Sequence, residues 1–447
     1  MKFSLEYICE RCGGRLSSSA DKNREVSGFF SDSRSPDTEK LFLALRGERV
    51  DGNSFVPELV KNGCAALTDR EENLNLNGDC IYVKDVREAL QMLAREYRLN
   101  EISNIPVVGI TGSVGKTTTK DMIALALSST LSVHKTLGNS NSQIGLPQTV
   151  LATPIDIDCA VIELGMSMPG EMDRIARCAM PNISVITNIG YSHIENLGTR
   201  EAIRDEKLKI CAYSPKGATL ILNGDEPLLR NKNYADNKVI FVSVDDKTCD
   251  CYAENIVESK EGSGFTANVF GKKIEVKLSV LGKHFIINSL FALAVANELG
   301  ISAESAASAL SGYQSDGKRQ FVFEKDGHTV ISDCYNASPE SMEAALSVLS
   351  KYKGRRIAVL GDMLELGSET VELHKRVGRS VDFCADVLIT YGELAKHIAS
   401  VTNKVDIYTF DKEQSDQLRS FLEDFIKQGD TVLYKASNGM NLSRVIV

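Results

Sequence analysis

The chain has 447 residues, of which 43% are hydrophobic and 25% are charged, and its formal net charge is −9 at pH 7. This length is typical of about three domains, and the apolar content is sufficient for large buried cores. The acidic balance argues against a general nucleic-acid or membrane-surface binder, so any phosphate chemistry must depend on local positive sites.

The N-terminal stretch and the cysteines indicate the compartment. The first residues, MKFSLEYICERCGG, have no long apolar segment and contain Glu6 and Glu10, so we do not expect a secretory signal peptide. No run of residues approaches the length that spans a bilayer. Cys159, Cys178 and Cys384 lie in apolar patterns typical of reduced, buried thiols. We therefore expect a cytoplasmic protein without membrane insertion.

Short strands and helices alternate over the first 100 residues, which predicts a small α/β unit. Arg34 follows a strand-like segment at 28–30, and Arg46 follows a second one at 41–45. A guanidinium beside exposed backbone at a strand end can bind a diphosphate. The alternative, that both are ordinary surface arginines, stays open at this point.

The segment 104–127, NIPVVGITGSVGKTTTKDMIALAL, has the order strand, glycine turn and helix. The glycines of the turn let backbone amides approach an anion, and the helix N-terminus adds partial positive charge. Lys116 can neutralise phosphate charge, and the Thr117 hydroxyl can bind Mg²⁺. Isoleucine stands at position 110, where the strict P-loop pattern has glycine, but the remaining Gly-x-x-Gly-Lys-Thr still predicts nucleotide phosphate binding.

From 105 to about 312, strands and helices alternate as βαβ units, which predicts a mostly parallel sheet. Glu163 ends an apolar strand, where a carboxylate that binds Mg²⁺ or positions water belongs. His193 follows the next strand, and ligand-binding residues are common at the carboxyl ends of parallel strands.

Two helices of this region carry polar residues that allow more than one interpretation. Lys207 lies in a charged helix beside Asp205 and Glu206; the default interpretation is a solvated face, where these carboxylates would raise the pKa of an ordinary lysine. His284 and Asn288 are one turn apart on a later helix, a spacing suited to holding a base edge. Capping or packing is the default alternative for the second pair.

The last part of the chain predicts a separate unit. The segment 313–318, YQSDGK, is short, polar and glycine-containing, as expected of a hinge. After it, strands and helices alternate regularly, which is typical of a doubly wound α/β domain. We therefore predict three domains, at 1–103, 104–313 and 314–447.

Several segments, taken together, resemble the Mur ligase family. Two of them, YNASPESMEAAL (335–346) and GDMLELG (361–367), are much more specific than the phosphate loop. Other matching segments are LFLALRGERVDGN (41–53), TGSVGKTTTKDM (111–122), NSNSQIGLP (139–147), IELGMSMPGEM (162–172) and TNIGYSHIENLG (187–198). The resemblance implies a small α/β domain that binds UDP, a central P-loop ATPase domain with a parallel sheet, and a C-terminal Rossmann-like domain.

The resemblance also implies an activity. It is that of an ATP-dependent amide ligase that uses Mg²⁺ and joins D-Ala-D-Ala to UDP-N-acetylmuramoyl-tripeptide through an acyl phosphate. We expect small-molecule substrates, no nucleic-acid partner, and a monomer. The alternatives are a sibling Mur-type or folylpolyglutamate ligase that adds a single amino acid, and a regulatory P-loop ATPase.

The same resemblance assigns roles to single residues. Lys116, Lys207 and His193 are the expected catalytic residues, and Thr117, Glu163, His193 and a carbamylated Lys207 are the expected metal ligands. The expected ATP contacts are Thr111, Gly112, Ser113, Val114, Gly115, Lys116, Thr117, Thr118, His284, Asn288, Arg319 and Asp333. The expected contacts to the other substrates are Ser33, Arg34, Arg46, Asn139, Asn141 and Asn336.

Overall fold

Three large sheets follow one another along the described part of the chain, and helices pack on their faces. The structure is a computed structural model that describes residues 2–234, 237–315, 317 and 319–447. Asp316 and Lys318, which belong to the predicted hinge, lie outside the described residues. The predicted α/β class with three units is confirmed.

The first unit consists of short strands and helices. Its elements are β1 (Phe3–Ser4), α1 (Leu5–Arg11), β2 (Arg15–Leu16), β3 (Glu25–Val26), β4 (Phe29–Phe30), β5 (Leu41–Leu43), α2 (Val56–Lys61), β6 (Ala65–Thr68), β7 (Cys80–Tyr82) and α3 (Val86–Asn100). Its larger sheet has the order β2-β7-β6-β5-β4. Because β4 and β5 are parallel neighbours, the residues that follow them emerge at the same edge of the sheet.

Helix α3 connects the first unit to the central unit. The Asp85 carboxylate caps its N-terminus by accepting the Glu88 amide, and its apolar face includes the fully buried Tyr97. The Tyr97 hydroxyl donates to the carbonyl of Thr153 at 2.7 Å. Arg98 is buried and donates to the carbonyl of Ala179 at 3.1 Å. These bonds satisfy buried polar groups and hold the first unit against the central one.

The central unit contains the largest sheet. Its elements are β8 (Val107–Thr111), α4 (Lys116–Leu127), β9 (Val133–Lys135), α5 (Gly145–Leu151), β10 (Cys159–Glu163), α6 (Glu171–Ala179), β11 (Ile183–Ile186), α7 (Ile194–Leu197), α8 (Arg200–Leu208), β12 (Thr219–Asn223), α9 (Pro227–Arg230), β13 (Lys238–Ser243), β14 (Cys251–Ser259), β15 (Gly262–Val269), β16 (Lys272–Leu278), α10 (Lys283–Glu298) and α11 (Ala303–Leu310).

The strand order of this sheet is β16-β15-β14-β13-β12-β11-β8-β10-β9. Strands β8 to β13 are parallel, as predicted, and β8 is buried on both faces, which explains its continuous apolar sequence. Strand β14 is parallel to β13, and β15 and β16 continue from it as an antiparallel edge.

The third unit is the doubly wound domain expected from the sequence. Its elements are β17 (Phe321–Lys325), β18 (His328–Ser332), α12 (Pro339–Leu349), β19 (Arg356–Gly361), α13 (Thr370–Cys384), β20 (Val387–Tyr391), α14 (Lys396–Ala399), β21 (Asp406–Phe410), α15 (Ser415–Phe425) and β22 (Thr431–Lys435). The strand order is β17-β18-β22-β19-β20-β21, and only β17 is antiparallel to its neighbour within the described residues. Among the described residues of all three units, no helix is long and apolar enough to cross a bilayer.

Candidate active site

A cavity of about 740 Å³ lies between the central and third units. On the central side it is lined by residues that follow the carboxyl ends of β8, β10 and β11, such as Lys116, Glu163 and His193. On the other side it is lined by residues of the third unit, such as Arg319 and Asn336. Ligands of parallel α/β sheets bind outside the carboxyl ends of the strands, so this is the expected place for a site.

The turn between β8 and α4 forms a phosphate-binding loop. Gly112 has φ +152°, and a side chain at this position would collide with the Thr187 hydroxyl, so only glycine fits. The Asn188 side-chain oxygen accepts the amides of Ser113 at 3.0 Å and Val114 at 2.9 Å. Helix α4 begins after Gly115 without a side-chain cap, so its N-terminal amides are oriented toward an anion.

Lys116 lies at the start of α4, and its ammonium folds back over the loop. Nζ donates to the carbonyl oxygen of Gly112 at 2.9 Å and to that of Ser113 at 3.3 Å. Burial lowers the pKa of Lys116, the Glu163 carboxylate opposes this shift, and the positive charge of Arg319 adds to it. A phosphate group in the cavity would therefore be a stronger partner for this ammonium than the neutral carbonyls that now hold it.

Thr117 and Glu163 form a pair of oxygen ligands beside the phosphate loop. The Thr117 hydroxyl donates to Glu163 Oε2 at 2.9 Å, and the Asn141 side-chain amide donates to Oε1 at 2.7 Å. Glu163 is buried at the end of β10. A hydroxyl and one carboxylate suit Mg²⁺, which binds few protein oxygens and keeps its other positions for water and phosphate. The described residues contain no cluster of three or more His, Cys, Asp or Glu that would form an all-protein cage.

Lys207 is buried beneath the phosphate loop, with 1% of its surface exposed. Its Nζ donates to the Gly112 carbonyl at 3.1 Å, the same oxygen that accepts from Lys116. Burial, with the charge of Lys116, lowers the pKa of Lys207 well below its usual range, and Glu206 opposes the shift only weakly. Two ammonium groups at one carbonyl repel each other, and this repulsion adds to the effect of burial in favouring the neutral amine of Lys207.

The default interpretation of Lys207 as part of a solvated face is therefore wrong, and so is the expectation of a raised pKa. Its neighbours in the chain turn elsewhere: Asp205 pairs with Arg204 at 2.9 Å, and Glu206 pairs with Lys209 at 2.7 Å. Both carboxylates form ion pairs with partners nearer the surface, so burial has the largest effect on the pKa of Lys207. A neutral buried amine is the form of lysine that reacts with CO₂ to give a carbamate.

His193 lies where the central unit meets the third unit. Its Nδ1 lies 2.6 Å from Oε2 of Glu365, in the loop between β19 and α13. Burial lowers the pKa of His193, the Glu365 carboxylate opposes the shift, and the charges of Lys116 and Lys207 add to it. The histidine thus lies close enough to both lysines for their charges to lower its pKa.

His284 and Asn288 lie on the first turns of α10 and line the cavity. The Asn288 side-chain oxygen accepts from the Thr119 hydroxyl at 3.0 Å, which joins α10 to the helix of the phosphate loop. Burial lowers the pKa of His284 to about 4, so its ring is neutral at pH 7. A neutral imidazole and an amide are groups that can hydrogen-bond an uncharged base edge.

The third unit contributes cations and their partners. The Arg319 guanidinium lies 3.8 Å from the centre of the Tyr335 ring, a cation–π contact that orients it at the cavity. Lys435, at the end of β22, is buried; its Nζ donates to Asp333 at 2.6 Å and to the Asn336 carbonyl at 3.0 Å. Lys435, Tyr335 and Asn188 were not among the predicted site residues.

Three family models match the chain. They describe the Mur ligase family catalytic domain over residues 25–98, the Mur ligase middle domain over 110–296, and the Mur ligase glutamate ligase domain over 318–438. The UDP-N-acetylmuramoyl-tripeptide–D-alanyl-D-alanine ligase of Bacillus subtilis is 40% identical over 458 residues, which cover 100% of this chain and 98% of its own. The chain belongs to the Mur ligase family.

Other Mur ligases agree with this assignment. The enzyme of the same name from Escherichia coli is 29% identical over 95% of each chain. The crystal structure of MurF from Acinetobacter baumannii has a TM-score of 0.91, with 27% identity, and covers 100% of this chain and 98% of its own. MurF from Thermotoga maritima, solved in complex with ADP, has a TM-score of 0.84, with 29% identity, and covers 94% and 96%.

The cavity brings together most of the residues that the resemblance to Mur ligases predicted. These are Ser113, Val114, Gly115, Lys116, Thr117, Thr118, Asn139, Asn141, Glu163, His193, His284, Asn288, Arg319, Asp333 and Asn336. Thr111, Gly112 and Lys207 do not line it. Lys207 donates to the carbonyl of Gly112 in the phosphate loop, and its charge acts on the cavity-lining His193.

The predicted residues of the first unit do not reach this cavity. Arg34 is 87% exposed and pairs with Asp32 at 2.7 Å, and Arg46 pairs with Asp69 at 2.9 Å. Both arginines follow neighbouring parallel strands, so they emerge at one edge of the sheet, together with Ser33. Their role in binding a diphosphate stays a prediction.

Proposed function

We propose that this Mur ligase joins D-Ala-D-Ala to UDP-N-acetylmuramoyl-tripeptide at the expense of ATP, and so completes the pentapeptide precursor of peptidoglycan. The relatives that cover the whole chain carry the name of that ligase. The observation that carries the proposal is one cavity in which a phosphate loop, the Thr117–Glu163 pair and Arg319 of the third unit face one another.

The proposed reaction has two steps. An oxygen of the tripeptide carboxylate attacks the γ-phosphorus of ATP, and the bond to ADP breaks, which leaves an acyl phosphate. The amine of D-Ala-D-Ala then attacks the acyl carbon, phosphate leaves, and the amine loses a proton. Negative charge gathers on oxygens in both steps, so the cations of Lys116 and Arg319 stabilise the transition states by facing those oxygens.

Thr117 and Glu163 would hold one Mg²⁺, and His193 with a carbamylated Lys207 would hold a second. When bound, these ions neutralise phosphate charge and orient the reacting oxygens. The lowered pKa of Lys207 supports the carbamate, because CO₂ adds to a neutral amine and not to an ammonium. His284 and Asn288 would bind the adenine, and Asp333 the ribose or a phosphate.

The remaining substrates would extend away from the phosphate loop. Asn139, Asn141 and Asn336 line the cavity and would contact the peptide or the dipeptide. Ser33, Arg34 and Arg46 would hold the UDP end on the first unit. We propose that three domains, 1–103, 104–313 and 314–447, act on these substrates as a monomer in the cytoplasm.

Phosphate release measures the activity directly. The ligase should release phosphate only when ATP, UDP-N-acetylmuramoyl-tripeptide and D-Ala-D-Ala are all present. A panel of single amino acids in place of the dipeptide tests the sibling ligases, which would accept one of them. A regulatory P-loop ATPase would instead show slow hydrolysis that is indifferent to both acceptors, and this result would contradict the proposal.

A further inference from the structure

One contact between the central and third units has no role in the two steps above. His193 Nδ1 and Glu365 Oε2 lie 2.6 Å apart and join the central unit to the third unit. An ionised carboxylate only accepts hydrogen bonds, so the proton of a neutral His193 ring is on Nδ1. Nε2 then carries the free lone pair, on a side chain that lines the cavity.

The loop that carries Glu365 is held firmly. The Met363 amide donates to Nε2 of the fully buried His374 at 3.1 Å, and Nδ1 of that ring donates to the Thr370 carbonyl at 2.7 Å. The Leu364 amide donates to the Ser437 hydroxyl at 3.0 Å. Hydrogen bonds thus fix the backbone immediately before Glu365, as a positioning role requires.

The backbone at both ends of the contact is strained. His193 has φ +64° and Glu365 has φ +65°, a left-handed conformation that residues other than glycine rarely adopt. Such strain persists where the surrounding structure imposes it, and it is concentrated at functional sites. Glu365 is 57% exposed, so its hydrogen bond with His193 contributes little to stability. A strained contact with little stabilising effect indicates a role in the site.

We propose that Glu365 is a positioning residue for His193, which it holds with Nδ1 protonated and Nε2 directed at a divalent cation in the cavity. A carboxylate behind a ligating histidine fixes its tautomer and raises its basicity. Glu365 belongs to the third unit, so this ligand is oriented only when that unit is docked, and cation binding and docking therefore stabilise each other. The inference rests on the proposed function, because it concerns the second cation of that site.

Binding of Mn²⁺ tests the inference without turnover. Free Mn²⁺ is titrated by electron paramagnetic resonance against the full chain with a non-hydrolysable ATP analogue, as wild type, Glu365→Ala, Glu365→Gln and Glu369→Gln. Glu365→Ala should weaken one Mn²⁺ by about 10–100-fold. Glu365→Gln, which can still accept from Nδ1, should keep affinity within a few-fold. Glu369→Gln, an exposed glutamate of the same segment whose side chain caps nothing, should bind as wild type.

The ring tautomer gives a second readout. ¹⁵N spectra of histidine-labelled protein, assigned with His193→Gln, should show the Nδ1–H form in wild type and a shift toward Nε2–H in Glu365→Ala. A Glu365→Ala protein with unchanged tautomer, or with both Mn²⁺ ions bound at wild-type affinity, overturns the inference, even if its melting temperature has fallen. A wild type that binds no Mn²⁺ with the nucleotide analogue overturns the proposed function as well.

Discussion

The two sides of the cavity are built in different ways. On the central side, Glu163 and Lys207 are buried, and hydrogen bonds within one parallel sheet and its loops hold them. On the other side, Arg319 stacks on a ring and Glu365 projects from a loop, so both reach the site only because the third unit is docked. The charges on the central side are therefore in place before substrates arrive. The positions of the charges on the other side depend on how the third unit packs against the central unit.

The largest effect is expected on the central side. Lys116→Ala should fold normally and lose activity by about 10³-fold or more, because its charge faces the transferred phosphate. The measurement is kcat/KM for phosphate release, with Lys272→Ala as the control, since that exposed lysine pairs with Glu304 away from the cavity. Activity of Lys116→Ala within a few-fold of wild type would exclude the phosphate-loop assignment.

Lys207→Ala comes next, with an expected loss of about 10²–10³-fold and partial rescue by short carboxylic acids that replace the carbamate. Lys207→Met keeps the buried volume and separates chemistry from packing. Wild-type protein exchanged into ¹³C-bicarbonate should show one carbamate carbon signal that Lys207→Met lacks. If wild-type protein shows no carbamate signal and its activity does not respond to bicarbonate, Lys207 has only a structural role.

These two lysines also show what the sequence could predict. Lys116 was recognised because strand, glycine turn and helix are consecutive in the chain, and Glu163 because it ends the neighbouring apolar strand. Lys207 was singled out only through the resemblance to Mur ligases, because its charged neighbours in sequence are not the groups that surround it; burial and Lys116 lower its pKa. The same holds for Glu365, which meets a histidine 172 positions away across a boundary between units.

A smaller loss is expected on the side of the third unit. Arg319→Ala should lower kcat by about 10–10²-fold, because the remaining cations of the central side still face the phosphates. Arg319→Lys should recover part of the lost kcat, since lysine keeps the charge but loses the planar stacking on Tyr335. Separate measurement of kcat and of KM for ATP shows whether Arg319 acts in the transition state. An effect on KM alone would mean that Arg319 contributes only to ground-state binding of ATP.

The titration of His284, in the central unit, depends on the groups of the third unit that pack against it. Burial lowers its pKa to about 4, with the third-unit groups Asp333, Lys435 and Gln320 close to the ring. The unfolded chain, with a histidine pKa of about 6.5, binds more protons between these values, so stability is full above pH 6.5 and falls toward pH 4.

This titration predicts a measurable loss of stability in acid. Between pH 7.5 and 5.0, His284 should account for about 2 kcal/mol of the lost free energy of unfolding. His284→Asn should therefore show a smaller drop in melting temperature over this interval than wild type or a His397→Asn control. An equal drop in all three proteins would contradict the lowered pKa of His284.

The smallest effect is expected in the first unit. Arg34→Ala removes an 87% exposed side chain whose partner is Asp32, so the fold should be unaffected. If Arg34 binds the diphosphate, KM for UDP-N-acetylmuramoyl-tripeptide should rise several-fold with kcat unchanged. Unchanged KM in both Arg34→Ala and Arg46→Ala would mean that they are ordinary surface arginines.

One isotope measurement tests the central claim that this cavity activates a carboxylate with ATP. The tripeptide substrate is labelled with ¹⁸O in the carboxylate that is to be joined, and the released phosphate is analysed by mass spectrometry. We expect one ¹⁸O in each phosphate released, because the labelled oxygen bonds to phosphorus in the first step and leaves with it in the second. Unlabelled phosphate from a reaction that forms the amide would contradict the acyl phosphate route.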